Sequence, residues 1–426
     1  VIAADHDAEL EELANRLDVL LARADHRLTA EYPGAAATRQ PVHTVYVGAD
    51  DYAEKLVSEW RSAALDSLEL YRAEAGRVAE SLGYEGEAAE ALLARVRAKL
   101  TDEPVEDLRI DFEDGFGVRA DAEEDQAVLR AVGDLVASRS SAEERTATYG
   151  FRIKSFEPQT RRRGLRTLNL IVAELARRNA IEDGFVITLA KASFVEHVEA
   201  LVVACEHLER VHALAEGTLK FELQIETTPA VYDVDGTLPL ARMLRAAKGR
   251  CTGLPHGTYD YSAACGISAG DQSMEHPAND HAKTVMQVIA AGTGVTLADG
   301  STNVLPVGSA DDVHRAWLLH ARLVARSLRR GYYQGWDLHP AQLVTRYLAT
   351  FGFFRSGFDE AAARLAAYLG TGHDQGVSDE PATATAMAGF LTRGLECGAL
   401  TEGEVRERSG ADRPTLLRLA KRVSTT

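Results

Sequence analysis

Leu10, Leu13, Leu17, Leu20, Leu21, Ala24 and Leu28 recur mostly three or four residues apart, which places them on one face of a helix running from about Asp7 to Ala30. Pro33 and Gly34 end it. From His43 onward the texture changes to short β-branched or aromatic runs, each followed by a longer Ala/Leu/Glu/Arg-rich segment of helical period. That alternation predicts consecutive βα units. The runs fall at residues 43–48, 108–113, 149–155, 185–191, 220–226, 253–259, 303–307 and 335–339. Eight such units of one hand curl a parallel sheet closed, so the expected fold is an α/β class TIM (β/α)8 barrel, with a doubly wound open sheet as the alternative. Ala298-Asp299-Gly300 reads as a hairpin turn decorating the seventh unit. Beyond Leu343 the pattern is helical to the end, with Pro381 in a linker and Arg413-Pro414 opening a last helix. The expected organisation is an N-terminal helical segment (1–40), a barrel (41–345) and a C-terminal helical extension (346–426).

Composition narrows the class without changing the fold. The 426 residues carry 47 Lys and Arg against 64 Asp and Glu, a formal net charge of −17, which argues against a sequence-independent grip on nucleic acid. The longest apolar stretches, such as 185–190 and 201–205, are far below the ~18 residues of a membrane span. The first 25 residues read as an acidic, heptad-like helix rather than a secretion signal, so the expected location is cytoplasmic. Cys205, Cys251, Cys265 and Cys397 are widely spaced, which indicates reduced thiols rather than a zinc ribbon or a disulfide framework.

A parallel strand buried on both faces is apolar throughout, yet three of these runs alternate with period two. Leu108, Ile110 and Phe112 oppose Arg109, Asp111 and Glu113, with Asp114 just beyond; Phe151 and Ile153 oppose Arg152 and Lys154; Phe221, Leu223 and Ile225 oppose Glu222, Gln224 and Glu226. If the apolar faces meet the outer helices, the charged faces point into the barrel, and those near the strand C-termini crowd the mouth where active sites of this fold sit. The competing reading is a buried ion-pair network that satisfies itself. Asp260 follows the sixth strand directly, so Glu226 and Asp260 stand at the ends of neighbouring strands. Two hard oxygen ligands, with water and substrate in the other positions, suit Mg²⁺ or Mn²⁺. Taken singly, either acid is more often a helix cap or a surface residue.

Six motifs in order, Asp111-Phe112-Glu113-Asp114, Phe151-Arg152-Ile153, Ala190-Lys191, Gln224-Ile225-Glu226-Thr227, Gly257-Thr258-Tyr259-Asp260-Tyr261 and His339-Pro340-Ala341-Gln342, span most of residues 43–350. In order and spacing this set resembles the citrate lyase β-subunit-like and malate synthase-like aldolase superfamily. The resemblance implies a metal-dependent barrel of the phosphoenolpyruvate/pyruvate type that makes or breaks a carbon-carbon bond beside a carbonyl. By it, Glu226 and Asp260 bind the divalent ion, Arg152 neutralises an enolate or substrate carboxylate, and Glu113 and Asp114 support the metal site. Lys191, Gly257, Thr258 and Tyr259 then contact substrate. It also implies a homo-oligomer, a trimer or hexamer.

The chemistry expected is that of a carbon-carbon lyase or an aldol or Claisen condensing enzyme acting on a small oxo- or hydroxy-acid or its coenzyme A thioester. An enolate oxygen needs a preorganised cation, and a metal with a guanidinium supplies it. The required base is not announced; Asp359 and Asp374 in the extension, or His256 and His276 near the mouth, are the candidates. For His256 a hydrogen-bonded histidine in a strand-end turn is the equal alternative. Arg161, Arg162, Arg163 and Arg166 either hold coenzyme A phosphates or form a solvated helix start. The Gly115-Phe116-Gly117 and Gly292-Thr293-Gly294 runs complete no nucleotide fingerprint. The contrasting function is a non-catalytic metal- or ligand-binding barrel with a regulatory role.

Overall fold

The computed structural model describes residues 2–35, 38–370 and 380–420, with side chains from residue 9 onward. Its first half runs α1 (Ile2–Glu31), β1 (His43–Gly48), α2 (Leu56–Leu70), α3 (Arg72–Ser81), α4 (Gly86–Asp102), β2 (Asp107–Asp111), α5 (Asp121–Arg139), β3 (Thr148–Ile153), α6 (Arg161–Arg177), β4 (Phe185–Leu189) and α7 (Val195–Val211). There follow β5 (Lys220–Leu223), α8 (Thr228–Val231), α9 (Pro239–Ala246), β6 (Cys251–Pro255), α10 (Thr258–Ala264), α11 (Pro277–Ala290), β7 (Thr296–Ala298), α12 (Ala310–Arg329) and β8 (Gly335–Asp337). The long α13 (Gln342–Tyr368) leads into α14 (Pro381–Glu396), α15 (Glu402–Ser409) and α16 (Arg413–Ala420).

All strand pairs are parallel and neighbours in sequence lie side by side, from β1 through β7, with β8 returning beside β1. The ring closes between β7 and β8 by a single bridge, Ala298 to Gln334, with the Asp299 amide donating to the Gln334 carbonyl at 2.8 Å. Closure excludes the doubly wound open sheet and establishes the barrel.

The seventh strand lies earlier than the sequence pattern placed it. Thr296, Leu297 and Ala298 pair with Gly253, Leu254 and Pro255, whereas residues 303–307 form no strand. Val304, Leu305 and Val307 are solvent-exposed, and Pro306 interrupts them with a residue that has no N–H to give to a ladder. The expected hairpin turn at Ala298–Gly300 is instead the exit of β7. Asp299 there is buried, holding the Lys283 ammonium with both oxygens at 2.9 Å and accepting from the Ser327 hydroxyl at 2.6 Å.

Local signals account for helix starts. Ser309 and Asp312 form a reciprocal capping box at α12, and Thr401 and Glu404 do the same at α15, which ends on Gly410 at φ 70°. Proline occupies the first turn of α9, α11 and α14. The main core joins the outer faces of the strands, such as Ile110, Phe151 and Phe221, to the surrounding helices. A second apolar cluster, including Phe358, Leu365, Leu391, Leu400 and Leu416, joins the far half of α13 to α14, α15 and α16. Among the described residues no helix is long and apolar enough to cross a membrane. The predicted N-terminal helix is present as α1, but its leucines meet solvent rather than the core.

Candidate active site

Inside the barrel the polar residues divide by depth. In the lower layer Arg109 donates to Glu222 at 3.0 Å and pairs with Asp107, while Asp107 also accepts from Thr44 at 2.8 Å and Glu222 from Thr188 at 2.6 Å. This is the self-satisfying network of the competing reading, and it accounts for the charges nearest the strand N-termini. Below it a cavity of about 1350 Å³ opens at that same end, lined by Asp107, Arg109, Lys220, Glu222 and Arg245 among others. The conserved rule of this fold puts chemistry at the opposite end, and there a different cluster stands.

The turn after β2 builds its floor. One Asp111 carboxylate oxygen accepts the Glu113 amide at 2.8 Å, and the other accepts the Gly115 amide at 2.8 Å. A side chain at Gly115 would put a Cβ 2.5 Å from Asp111 Oδ2, so glycine is required for this turn. The same carboxylate grips Arg152 by two prongs, Nε at 2.7 Å and Nη2. Arg152 Nη1 donates to Gln224 Oε1 at 3.3 Å and lies 3.7 Å from Glu113. Its guanidinium carbon lies 5.1 Å from the centre of the Tyr46 ring and 5.7 Å from that of Trp336, and these two rings are themselves 4.4 Å apart. Arg152 is thus a buried cation, fixed by a planar carboxylate and flanked by aromatic faces.

Lys191 spans the mouth. Its ammonium pairs with Glu113 and with Asp114 at 3.2 Å, and its amide donates to Glu226 Oε1 at 2.8 Å. The backbone there takes φ 52°, a left-handed conformation uncommon outside glycine, which aims the amide at the carboxylate. Burial works against the charged amine, yet Glu226 and Glu113 outweigh it and hold the pKa above the usual lysine value. Burial raises Glu113, whereas Asp114 is held low, against its own burial, by its hydrogen bond with Glu113 and the Lys191 charge.

Glu226 is buried beside the Cα of Gly257, where any Cβ would come within 2.3 Å of Oε2. Gln224 donates to Oε2, so this one amide side chain joins Arg152 to Glu226. Burial pushes the Glu226 pKa up to about 8; Lys191 opposes the rise and the Asp260 charge adds to it. Asp260 is half-buried in the first turn of α10. Thr258, ahead of it, is buried with its hydroxyl unpaired, and Tyr259 accepts the Asn303 amide at 2.7 Å.

Among the described residues no three His, Cys, Asp or Glu side chains come together as a ready ligand set. Glu226 and Asp260 nonetheless fit a hard divalent ion. They are oxygen donors from adjacent strand ends, the Asp260 charge disfavours the ionised form of Glu226, and two donors leave room for water and substrate.

The base candidates lie elsewhere. Since Gly253 and Gly257 face Glu222 and Glu226 inside the barrel, the alternate residue His256 faces outward. Its Nε2 is 2.8 Å from Asn279 Oδ1, and burial lowers its pKa to about 4, as a hydrogen-bonded core histidine requires. His276 caps α11, its Nδ1 accepting the Ala278 amide at 3.2 Å. Asp359 is exposed on α13 and pairs with Arg408 of α15. Asp374 lies outside the described residues. Lys154, expected inside, pairs instead with Glu124 of α5 at 2.8 Å. Arg163 and Arg166 are engaged by Asp125.

Sequence reasoning gave no role to Asp111, Gln224, Tyr46 or Trp336. Their common signal is the inward position: Tyr46 falls on the inner face of β1 with Thr44, and Asp111 and Gln224 share faces with acids already singled out.

No curated protein matches the sequence. Among solved structures, a citrate lyase from Burkholderia xenovorans LB400 superimposes with a TM-score of 0.56 at 18% identity, covering 86% of this chain and 96% of that one. The malate synthase of Haloferax volcanii gives 0.50 at 17% identity, covering 92% and 99%. At these identities the likeness is one of fold, a TIM barrel with helical additions. The family model described as "Domain of unknown function (DUF6986)" matches residues 21–423, nearly the whole chain, and the protein therefore belongs to that family.

Proposed function

We propose that this protein is a carbon-carbon lyase or condensing enzyme that works through an enolate of a small oxo- or hydroxy-acid, or of its coenzyme A thioester, with Mg²⁺ or Mn²⁺. The observation that carries the reading is the meeting of two buried or half-buried cations, Arg152 and Lys191, with Glu226 at the C-terminal end of the barrel. The fold shared with a citrate lyase and a malate synthase supports the reaction class. The Haloferax volcanii structure was determined at 3 mM glyoxylate, an oxo-acid of the proposed kind.

A guanidinium has five N–H groups. Asp111 takes two from Arg152 and Gln224 a third, which leaves two for a substrate carboxylate or an enolate oxygen. The Lys191 ammonium adds a second positive charge. Gly257 and Tyr259 shape the wall. Glu226 and Asp260 would hold the divalent ion, which when bound supplies Lewis-acid stabilisation of developing negative charge. Asp111 and Gln224 keep Arg152 in place, so its donors need no reorganisation during reaction.

The test is α-proton exchange. Pyruvate and acetyl-CoA, each incubated in deuterated water with protein and Mg²⁺, are followed by proton NMR. Exchange by the wild type and its loss in Arg152→Gln support the enzyme. Metal and oxo-acid binding without exchange of either compound indicates the regulatory barrel instead.

A further inference from the structure

The α1 helix carries a face that the rest of the chain leaves uncovered. Leu10, Leu13, Leu17, Leu20, Leu21 and Leu28 are 46 to 74% exposed, although they lie on a helix of 30 residues, about 45 Å long. What ties its end to the barrel is polar: Glu31 pairs with Arg245, and the Gly34 amide donates to the Gly292 carbonyl. A continuous exposed leucine stripe, about 27 Å from Leu10 to Leu28, marks an association surface.

Its spacing and charges say what fits it. Leu10, Leu17 and Ala24 occupy one core position of a heptad, and Leu13, Leu20 and Arg27 the other. A second α1 laid parallel would stack Arg27 on its own copy in the core and would bring no flanking opposite charges together. Laid antiparallel about a twofold axis near Asn15, Leu10 meets Leu20 and Leu13 meets Leu17 of the other copy. Arg27 is then no longer stacked on its own copy, and Glu9 flanks Arg23 twice, outweighing the single approach of Arg16 to itself at the axis. The acids Glu9, Glu11 and Glu12 of one helix also face the half that holds the arginines in the other. We propose that two copies of this protein associate through an antiparallel α1 pair, an isologous contact.

The test uses the full chain and sedimentation equilibrium, with circular dichroism as a check of folding. The wild type is expected to hold an even number of chains, and Leu13→Glu with Leu17→Glu to halve it, since acids then oppose acids. Leu13→Glu with Leu17→Lys is expected to retain association, because the antiparallel register sets each introduced acid against an introduced amine. A wild-type monomer or odd number, or an unchanged number in the double-acid variant, overturns the proposal. Orientation is read by cross-linking in a Cys265→Ser background, which removes the exposed thiol. Arg16→Cys is expected to form a disulfide between copies and Arg27→Cys not to; the reverse result overturns the antiparallel arrangement.

Discussion

Glu226 makes a pH dependence that can be worked out in advance. Its carboxyl has an ordinary pKa of 4.5 when the chain is unfolded and about 8 when folded, because burial and the Asp260 charge penalise the ionised form. The folded state therefore holds the proton more tightly. Stability from this group is fully present below pH 4.5 and is lost as pH rises through about 8. At about 1.4 kcal/mol per pH unit, the gap from 4.5 to about 8 amounts to roughly 5 kcal/mol as an upper limit. The assay is urea unfolding of wild type and Glu226→Gln from pH 5 to 9 with a chelator present. Gln is a near-isostere of the protonated acid, so the difference between the two proteins isolates this group from other titrations. We expect the wild type to lose stability relative to Glu226→Gln by about 1 kcal/mol per pH unit between pH 5 and 8.

Added Mg²⁺ reverses the sign. A metal-bound carboxylate must give up its proton, so affinity is expected to rise up to tenfold per pH unit well below the pKa, about 50-fold from pH 6 to 8, and to level off above. Isothermal titration calorimetry at pH 6, 7, 8 and 9 measures it. Equal affinity at pH 6 and 8, or a wild-type stability profile parallel to that of Glu226→Gln, would refute the assignment of the raised carboxyl and of its place in the metal site.

Two further substitutions probe the same mouth. Arg152→Lys keeps a charge but loses the two-pronged pairing with Asp111, and is expected to lower kcat/KM by roughly 2 to 4 kcal/mol in transition-state terms and the unfolding free energy by about 1 to 3 kcal/mol, checked by steady-state kinetics and urea titration. Gly257→Ala forces a methyl group to within 2.3 Å of Glu226 Oε2, so the carboxyl must move; calorimetry should show weaker Mg²⁺ binding, with a stability loss of about 1 to 3 kcal/mol, and unchanged affinity would show that Glu226 tolerates displacement.

The barrel was legible because its strands differ chemically on their two faces. In β2 the apolar set Leu108 and Ile110 joins the core and the polar set Arg109 and Asp111 turns inward, as alternation alone requires. The seventh strand was not legible, since Val304, Leu305 and Val307 carry β-forming side chains yet nothing buries them. What makes Thr296–Ala298 a strand is its two neighbours in the ring, and register between strands is a property of the closed sheet. The site divides the same way. Acids at strand ends could be read from position, but the grip of Asp111 on Arg152, 41 residues away, and the two aromatic rings around that arginine depend on that register. His256 was decidable in principle: with Gly253 and Gly257 inside, parity sends it outward.

Depth within the barrel also separates charges that hold the fold from those available for chemistry. In the lower layer the two acids are answered by the Arg109 guanidinium and the Thr44 and Thr188 hydroxyls, every partner within the barrel. Replacing such a closed set by apolar residues of similar volume is often tolerated, because its desolvation offsets its attraction. At the mouth the balance differs. Among the described residues, Asp111, Glu113, Asp114 and Glu226 have Arg152 and Lys191 as their cations. Carboxyl side chains there outnumber the cations by four to two. The divalent cation proposed above would offset this excess of carboxyl groups, and the raised pKa of Glu226 works in the same direction, by keeping its proton.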